Sequence, residues 1–270
     1  MSKNNICIVG LGWLGLPLYK RLVGLNYLCK GSTTSIEKEK NFKSKGISAY
    51  QVKIKETEIE GDIEGCLKDS KIIILNIPPG LRRNPDSSYI AKIEQLLVYI
   101  KNSSVEKVLY ISSTSVFEDE EHFPIIINST LPNATSKAGL QLRKVEELLK
   151  NSMEFETTIL RFSGLVDQRR HPATMMSKRA SVGNPNAPVN LIHREDCIKI
   201  ITEIVAQKKW GITLNASYPI AKTKKDYYNK TCKQLNLSNP NFDHKTVSKG
   251  KKIKGNETKE ELGFAYKHPV

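Results

Sequence analysis

A single turn constrains this chain more than any other feature. Ile6-Cys7-Ile8-Val9 is a short apolar run, Gly10-Leu11-Gly12-Trp13-Leu14-Gly15 follows it directly, and Leu14, Leu16, Leu18, Leu22 and Val23 then mark an amphipathic helix. A G-x-G-x-x-G between a strand and a helix gives each glycine its own task. Gly10 permits the tight turn, Gly12 brings the backbone up to a pyrophosphate with no Cβ in the way, and Gly15 lets helix and strand pack closely. The helix start adds free N–H donors and the positive end of the helix dipole. The competing reading is a glycine turn that only packs. In the order strand, turn, helix, the pattern predicts binding of dinucleotide phosphates, with Trp13 and Leu14 in the contact set beside the three glycines.

The same alternation continues. Ile72–Ile77, Lys107–Ile111 and Thr157–Phe162 are short continuous apolar runs, as expected of strands covered on both faces, and Ile90, Ile93, Leu96, Leu97 and Ile100 mark a further helix. Strand and helix in alternation through the first 165 residues predict an α/β, doubly wound parallel sheet of Rossmann type. Beyond Gly164 the pattern loosens into a loop over residues 167–188, a strand-like Val189–His193, a helix from about Asp196 to Gln207, a strand Gly211–Asn215 and a tail with one or two helices. The expected organisation is a dinucleotide-binding domain over residues 1–165 and a smaller C-terminal part, 166–270, packed on it and shaping a substrate cleft.

The second strand, near Tyr27–Gly31, is expected to end beside the adenosine ribose, where NAD enzymes usually place a carboxylate. Here Lys30-Gly31-Ser32-Thr33-Thr34-Ser35 follows, and no carboxylate appears before Glu37. Ser32, Thr33, Thr34 and the nearby lysine suit a ribose 2′-phosphate, so NADP is preferred over NAD. The alternative is that these hydroxyls cap the helix starting near Ile36. Asn76, Ile77 and Pro78, ending the fourth strand, complete the expected cofactor lining, while Arg82 and Arg83 face either an anionic ligand or solvent.

The formal charge is +14, and residues 221–260 hold 11 Lys against 4 Asp/Glu, half of that excess. Such a surface attracts polyanions. The lysines, densest at Lys249, Lys251, Lys252 and Lys254, are not interleaved with aromatics and match no helix-turn-helix or RNA-binding signature, so a solvated basic face is favoured over nucleic-acid binding. Cys7, Cys29, Cys66, Cys197 and Cys232 are odd in number and lack ligand spacing, which suggests neither disulfides nor a metal site. No stretch approaches the length of a membrane span, and the start of the chain does not read as a secretory signal; a cytoplasmic protein is expected.

Six segments in order carry a family resemblance over nearly the whole chain: the glycine turn, Ser112-Ser113-Thr114-Ser115-Val116-Phe117, Ile159-Leu160-Arg161, Arg170-His171-Pro172, Val189-Asn190-Leu191-Ile192-His193 and Glu261-Leu262-Gly263-Phe264. Together they resemble the extended short-chain dehydrogenases/reductases, in the atypical, YeeZ-like branch of NAD-dependent epimerase/dehydratase-like proteins. The resemblance implies reduction, epimerisation or dehydration of sugar nucleotides and related carbonyl compounds, through a Ser/Thr ending the fifth strand and a Tyr-x-x-x-Lys on the next helix. In that chemistry a tyrosinate exchanges the hydroxyl proton while hydride moves to or from nicotinamide.

By the resemblance Ser113 matches the catalytic serine, with Thr114 as its neighbour in contact with substrate. The Tyr-x-x-x-Lys does not follow: Gly139-Leu140-Gln141-Leu142-Arg143 stands in its place, and no tyrosine lies between Tyr110 and Tyr218. Arg143 keeps a positive charge without lysine's compact geometry. Lys137 and His171 are the candidate substitutes for the acid–base group, and Arg170 with His171 are candidate contacts to an anionic substrate. His193 and Asp196 read as structural, Asp196 as a helix N-cap. Two functions from different classes follow: an NAD(P)-dependent oxidoreductase or epimerase-like enzyme acting on an anionic carbonyl or nucleotide-linked small molecule, and a catalytically silent NAD(P)-binding sensor. Polyanion binding by the basic tail is a third. The oligomeric state is open.

Overall fold

The computed structural model describes residues 5–81 and 83–270, so Arg82 lies outside the described residues. Its strands are β1 Asn5–Val9, β2 Leu28–Thr33, β3 Ala49–Ile54, β4 Ile59–Gly61, β5 Ile72–Leu75, β6 Lys107–Ser113, β7 Ile125–Ile126, β8 Glu156–Phe162, β9 Gly164–Val166, β10 Leu191–His193, β11 Thr213–Ala216 and β12 Lys252–Ile253. The helices are α1 Gly15–Gly24, α2 Ile36–Lys43, α3 Ile63–Leu67, α4 Tyr89–Lys101, α5 Lys137–Lys150, α6 Pro172–Met176, α7 Arg194–Gln207, α8 Lys224–Gln234 and α9 Asn256–Leu262.

Eight strands form the main sheet in the order β11-β8-β6-β5-β1-β2-β3-β4. The pairs β1–β2, β1–β5, β2–β3 and β5–β6 are parallel, and the short edge strand β4 pairs antiparallel with β3. The order reverses between β1 and β5, which is the switch point of a doubly wound sheet. All four residues of β5 are buried, and β1 is buried from Ile6 to Val9. Strands covered on both faces carry continuous apolar sequence for this reason. Side-chain caps begin several helices: Ser35 accepts the Lys38 N–H, Ser88 that of Ala91, Ser136 that of Gly139 and Thr223 that of Asp226.

The chain divides into two compact units, residues 1–113, 136–160 and 201–213 in one and 114–135, 161–200 and 214–270 in the other. It therefore passes between units several times, whereas the sequence suggests a single division at 165/166. The first unit holds the glycine turn and most of the main sheet. In the second, the parallel pair β9–β10 packs near α6 and α8 around Val166, Leu191, Tyr227, Tyr228 and Cys232. The parallel pair β7–β12 belongs to this unit as well. Asp196 lies within the first turn of α7 instead of preceding it. Its carboxylate accepts the backbone N–H groups of Lys267 and His268 and meets the His268 ring at 2.9 Å, so it anchors residues 267–268. Among the described residues no helix is long and apolar enough to cross a membrane.

His171 opens α6. Its Nδ1 accepts the Ala173 N–H at 3.1 Å, which leaves the proton of the neutral ring on Nε2, facing the Tyr227 hydroxyl oxygen at 2.9 Å. Burial holds the imidazole below its ordinary pKa of 6.5, favouring this neutral form. A group whose folded-state pKa is depressed stabilises the fold above its unfolded value, and that contribution is lost as pH falls through the folded one. His171→Ala is therefore expected to cost about 1 kcal/mol through loss of the cap, a fall in Tm of about 2–4 °C by calorimetry at pH 7.5. His171→Asn keeps a capping oxygen and is expected to recover most of that loss while flattening part of the decline in Tm below about pH 6.5. Equal stability of the alanine variant and the parent would show the cap to be inert.

Candidate cofactor and substrate sites

The glycine turn is built by backbone contacts. Gly10 has φ +112°, and a Cβ there would lie 2.5 Å from the Asn76 carbonyl oxygen. A Cβ on Gly15 would overlap the Gly10 carbonyl oxygen. A Cβ on Gly12 would meet nothing within 4 Å, and Gly12 is exposed. Two glycines thus serve packing, and the middle one faces open space where the turn can receive a ligand. The Asn76 amide donates to the Gly10 carbonyl at 3.1 Å, joining the ends of β1 and β5. The next residue is fixed too, since the Tyr89 hydroxyl donates to the Ile77 carbonyl at 3.0 Å. Pro78 is exposed, Trp13 half-buried and Leu14 buried as the residue leading into α1.

The end of β2 differs from the sequence expectation in its details. Ser32 is buried, and its hydroxyl accepts the Gly10 N–H at 3.0 Å while its carbonyl accepts that of Leu11 at 2.7 Å. It holds the turn. Lys30 donates to the carbonyls of Gly65 and Lys68, where it closes the end of α3. Thr33 is buried and Thr34 exposed. Two groups offered by the sequence to a 2′-phosphate are therefore engaged within the protein.

At the end of β6, the Ser112 hydroxyl donates to the buried Glu146 carboxylate at 2.6 Å, tying strand to α5. Ser113 is half-buried. On α5, Gly139 is buried and its N–H is capped by Ser136, Arg143 is half-buried, and Gln141 accepts the Tyr89 N–H at 2.5 Å and donates to the Ser87 carbonyl. Gly139 and Arg143 lie one turn apart on one helical face, as the resemblance implies. Lys137 points the other way in function: it is exposed and paired with Asp86 at 3.1 Å.

In the second unit, Thr114 starts a 3₁₀ turn and lines a cavity of about 240 Å³ together with Asn190, Lys224, Tyr228, Lys249 and Lys251. Two of these lysines come from the run read above as a solvated face. A bridge between Glu120 and Gly250 brings that run in, and the Asn190 side chain holds it by donating to the Lys251 carbonyl and accepting the Ile253 N–H. Lys251 is only 11% exposed, with Nζ on the Phe117 carbonyl and the Asp119 carboxylate. Tyr228 and Lys224 carry no motif that would have singled them out, and Asn190 stands in the Val189–His193 segment of the resemblance without being picked out there as a site residue. His171 has both ring nitrogens engaged at the start of α6, and Arg170 is exposed, its N–H bound with that of Arg169 to Asp167. The structure therefore gives the acid–base substitutes Lys137 and His171 structural partners.

No family model matches the chain. It is 29% identical over 269 residues to the protein YeeZ of Escherichia coli K12, covering 98% of this chain and 97% of that one. It is 27% identical over 173 residues to UDP-glucose 4-epimerase of Pasteurella multocida Pm70, 57% of this chain and 50% of the relative. Among solved structures, the UDP-glucuronic acid 4-epimerase of Bacillus cereus in complex with UDP-glucuronic acid and NAD superposes with a TM-score of 0.77 at 19% identity, covering 98% of this chain and 94% of that one. The UDP-glucose 4-epimerase of Thermotoga maritima with UDP-glucose gives 0.76 at 14% identity, with coverage of 98% and 94%. Similarity to YeeZ along the full length makes the chain a YeeZ homologue, and its fold is that of the NAD-dependent epimerases.

Proposed function

We propose that the protein is a cytoplasmic NAD(P)-binding oxidoreductase or epimerase-like enzyme acting on an anionic carbonyl or nucleotide-linked substrate. The carrying observation is the open space over Gly12 at the switch point between β1 and β5, framed by two glycines that backbone contacts require. The turn from Gly10 to Gly15 would hold the pyrophosphate, with the Asn76–Pro78 segment alongside. A bound nicotinamide supplies hydride transfer. The chain's part is to bind, orient and move a proton. With Lys30 and Ser32 engaged elsewhere, the preference for NADP rests on Thr34 and on the absence of a carboxylate at the end of β2. The five cysteines are free and buried, in keeping with a reducing compartment.

A second reading, a catalytically silent dinucleotide-binding sensor, is favoured by one observation. Glycine and arginine stand on α5 where the family's phenol and lysine would be. The polyanion reading loses support, because Lys249 lies 3.5 Å from Glu121 and Lys251 pairs with Asp119 within the fold.

Gly12→Val is expected to fold as the parent does, since no atom lies within 4 Å of the added Cβ, and to lose about 100-fold or more in cofactor affinity, about 2.8 kcal/mol. Gly15→Ala is expected to lower Tm as well, because its methyl collides with the Gly10 carbonyl. Fluorescence titration with NADPH and NADH beside thermal unfolding separates the two outcomes, and unchanged affinity in Gly12→Val would reduce the turn to packing. NADPH is expected to bind more tightly than NADH; the reverse order refutes the NADP preference. Turnover of NADPH with a panel of carbonyl compounds distinguishes the enzyme from the silent binder.

A further inference from the structure

His193, at the end of β10, and His268 stack on one another, with ring centroids 4.9 Å apart and planes 18° from parallel. Each ring is oriented through its Nδ1. That of His193 accepts the Glu195 N–H at 3.2 Å, so the proton of the neutral ring sits on Nε2, while that of His268 donates to the buried Asp196 carboxylate at 2.9 Å. The Nε2 atoms are therefore what the pair has to offer a ligand. Both rings line a cavity of about 550 Å³, whose walls also include Asp167, Arg169, Arg194 and Glu195, all within the second unit. That volume falls inside the range of about 300–1,000 Å³ usual for small-molecule sites.

Ion pairing decides which ligand these walls suit. Arg194 meets the Asp167 carboxylate at 2.8 Å and that of Glu195 at 3.3 Å, and Asp167 also accepts the backbone N–H groups of Arg169 and Arg170. One guanidinium is thus shared by two carboxylates, and the exposed Arg169 balances the remaining charge. With neutral imidazoles the lining has no net charge; with both protonated it is cationic. The other groups around the rings leave this balance intact. Lys267, beside His268 in the chain, is exposed, and burial pushes Cys197 and Tyr266 up, so both stay neutral.

We propose that this cavity is a proton-linked site for a small organic phosphate, in which Nε2 of His193 and of His268 donate to the phosphate oxygens and Arg169 closes on them from the rim. The site shares no residue with the glycine turn and does not depend on the oxidoreductase reading. A phosphate monoester has three terminal oxygens, enough to accept from both imidazoles and a guanidinium at once, where a carboxylate has two. Burial, then the His268 ring, holds His193 below its ordinary pKa against the pull of Asp196, Glu195 and Asp167. Without an anion, charging both stacked rings sets like charges against each other. A phosphate beside the two Nε2 atoms offsets that repulsion, so the bound state holds more protons than the free one. By linkage, affinity rises as pH falls and levels off once both rings are protonated in the free protein.

Calorimetry on the full chain tests the site, with sulfate and glycerol 3-phosphate as probes. Sulfate affinity is expected to rise about tenfold or more from pH 7.5 to pH 6.0, with uptake of about one proton or more, read by repeating the titration in buffers of different ionisation enthalpy. Sulfate stays a dianion over that range, so the dependence belongs to the protein. At pH 7.0 glycerol 3-phosphate is expected to bind more tightly than sulfate, because the cavity extends beyond a bare tetrahedral ion. His193→Asn keeps an acceptor for the Glu195 N–H and His268→Asn a donor to Asp196, while both remove Nε2 and the titration. Each is expected to weaken sulfate about tenfold at pH 6.0 and to flatten the pH dependence. Arg169→Gln is expected to weaken sulfate at every pH alike. In the parent, the ring signals of His193 and His268 followed by NMR are expected to titrate at higher pH with sulfate present, a readout that needs no variant. Affinity independent of pH, ring signals unmoved by sulfate, asparagine variants that bind as the parent does, sulfate binding as tightly as glycerol 3-phosphate, or no binding at pH 6.0 would overturn the proposal.

Discussion

The close approach of Gly15 to the Gly10 carbonyl is the contact on which the first unit depends. It presses the start of α1 against the end of β1, and only hydrogen atoms fit between them. The positive φ of Gly10 turns the chain into that position, and the Asn76 amide locks the same carbonyl from β5. Since β1 and β5 flank the reversal in strand order, one set of backbone contacts fixes the switch point and aims the helix start at the space over Gly12. The opening over Gly12 exists because its neighbours are packed so tightly.

Hydrogen-bond satisfaction then decides which candidate side chains are at liberty. A buried donor or acceptor needs a partner, and in a rigid fold that partner is usually protein. Ser32 and Asn76 are engaged by the glycine turn, Gln141 by the first turn of α4, and His171 by α6 and Tyr227. Each has the residue type of a functional group, and each is held in a structural role.

The doubly wound sheet was legible because its strands are buried on both faces and its first turn requires glycine at defined positions. Apolar runs located β1, β5, β6 and β8 to within a few residues, whereas the tail helices were expected without positions. They missed β3, β4, β7, β9 and β12. Short edge and two-residue strands bury too little surface to impose a continuous apolar run, and β3, next to the edge, is only partly covered, with Tyr50 and Gln51 half-buried and Lys53 exposed around a buried Val52. Val189–His193 shortened to Leu191–His193, since the Asn190 side chain is directed to the Lys251–Ile253 backbone. Local geometry was legible where a motif fixes the backbone, as at Gly10 and Gly15. It was not where a side chain's partner is distant in sequence: nothing near Lys30 announces the carbonyl of Lys68.

Charge was the least local property of all. A count of lysines over residues 221–260 describes a basic surface, yet the fold sorts those lysines by their neighbours. Lys251 is withdrawn to the Asp119 carboxylate, Lys224 is half-buried on a helix that also carries Tyr228, and Lys252 remains exposed only one residue from Lys251 because successive side chains of an extended segment point to opposite sides. The alternation places Lys249 and Lys251 on the same side, against Thr114, and leaves Lys252 and Lys254 to solvent. A run that reads as uniform in sequence is thus divided by backbone geometry into a lining and a face, and only the lining can discriminate among ligands, because a solvated lysine attracts every anion alike.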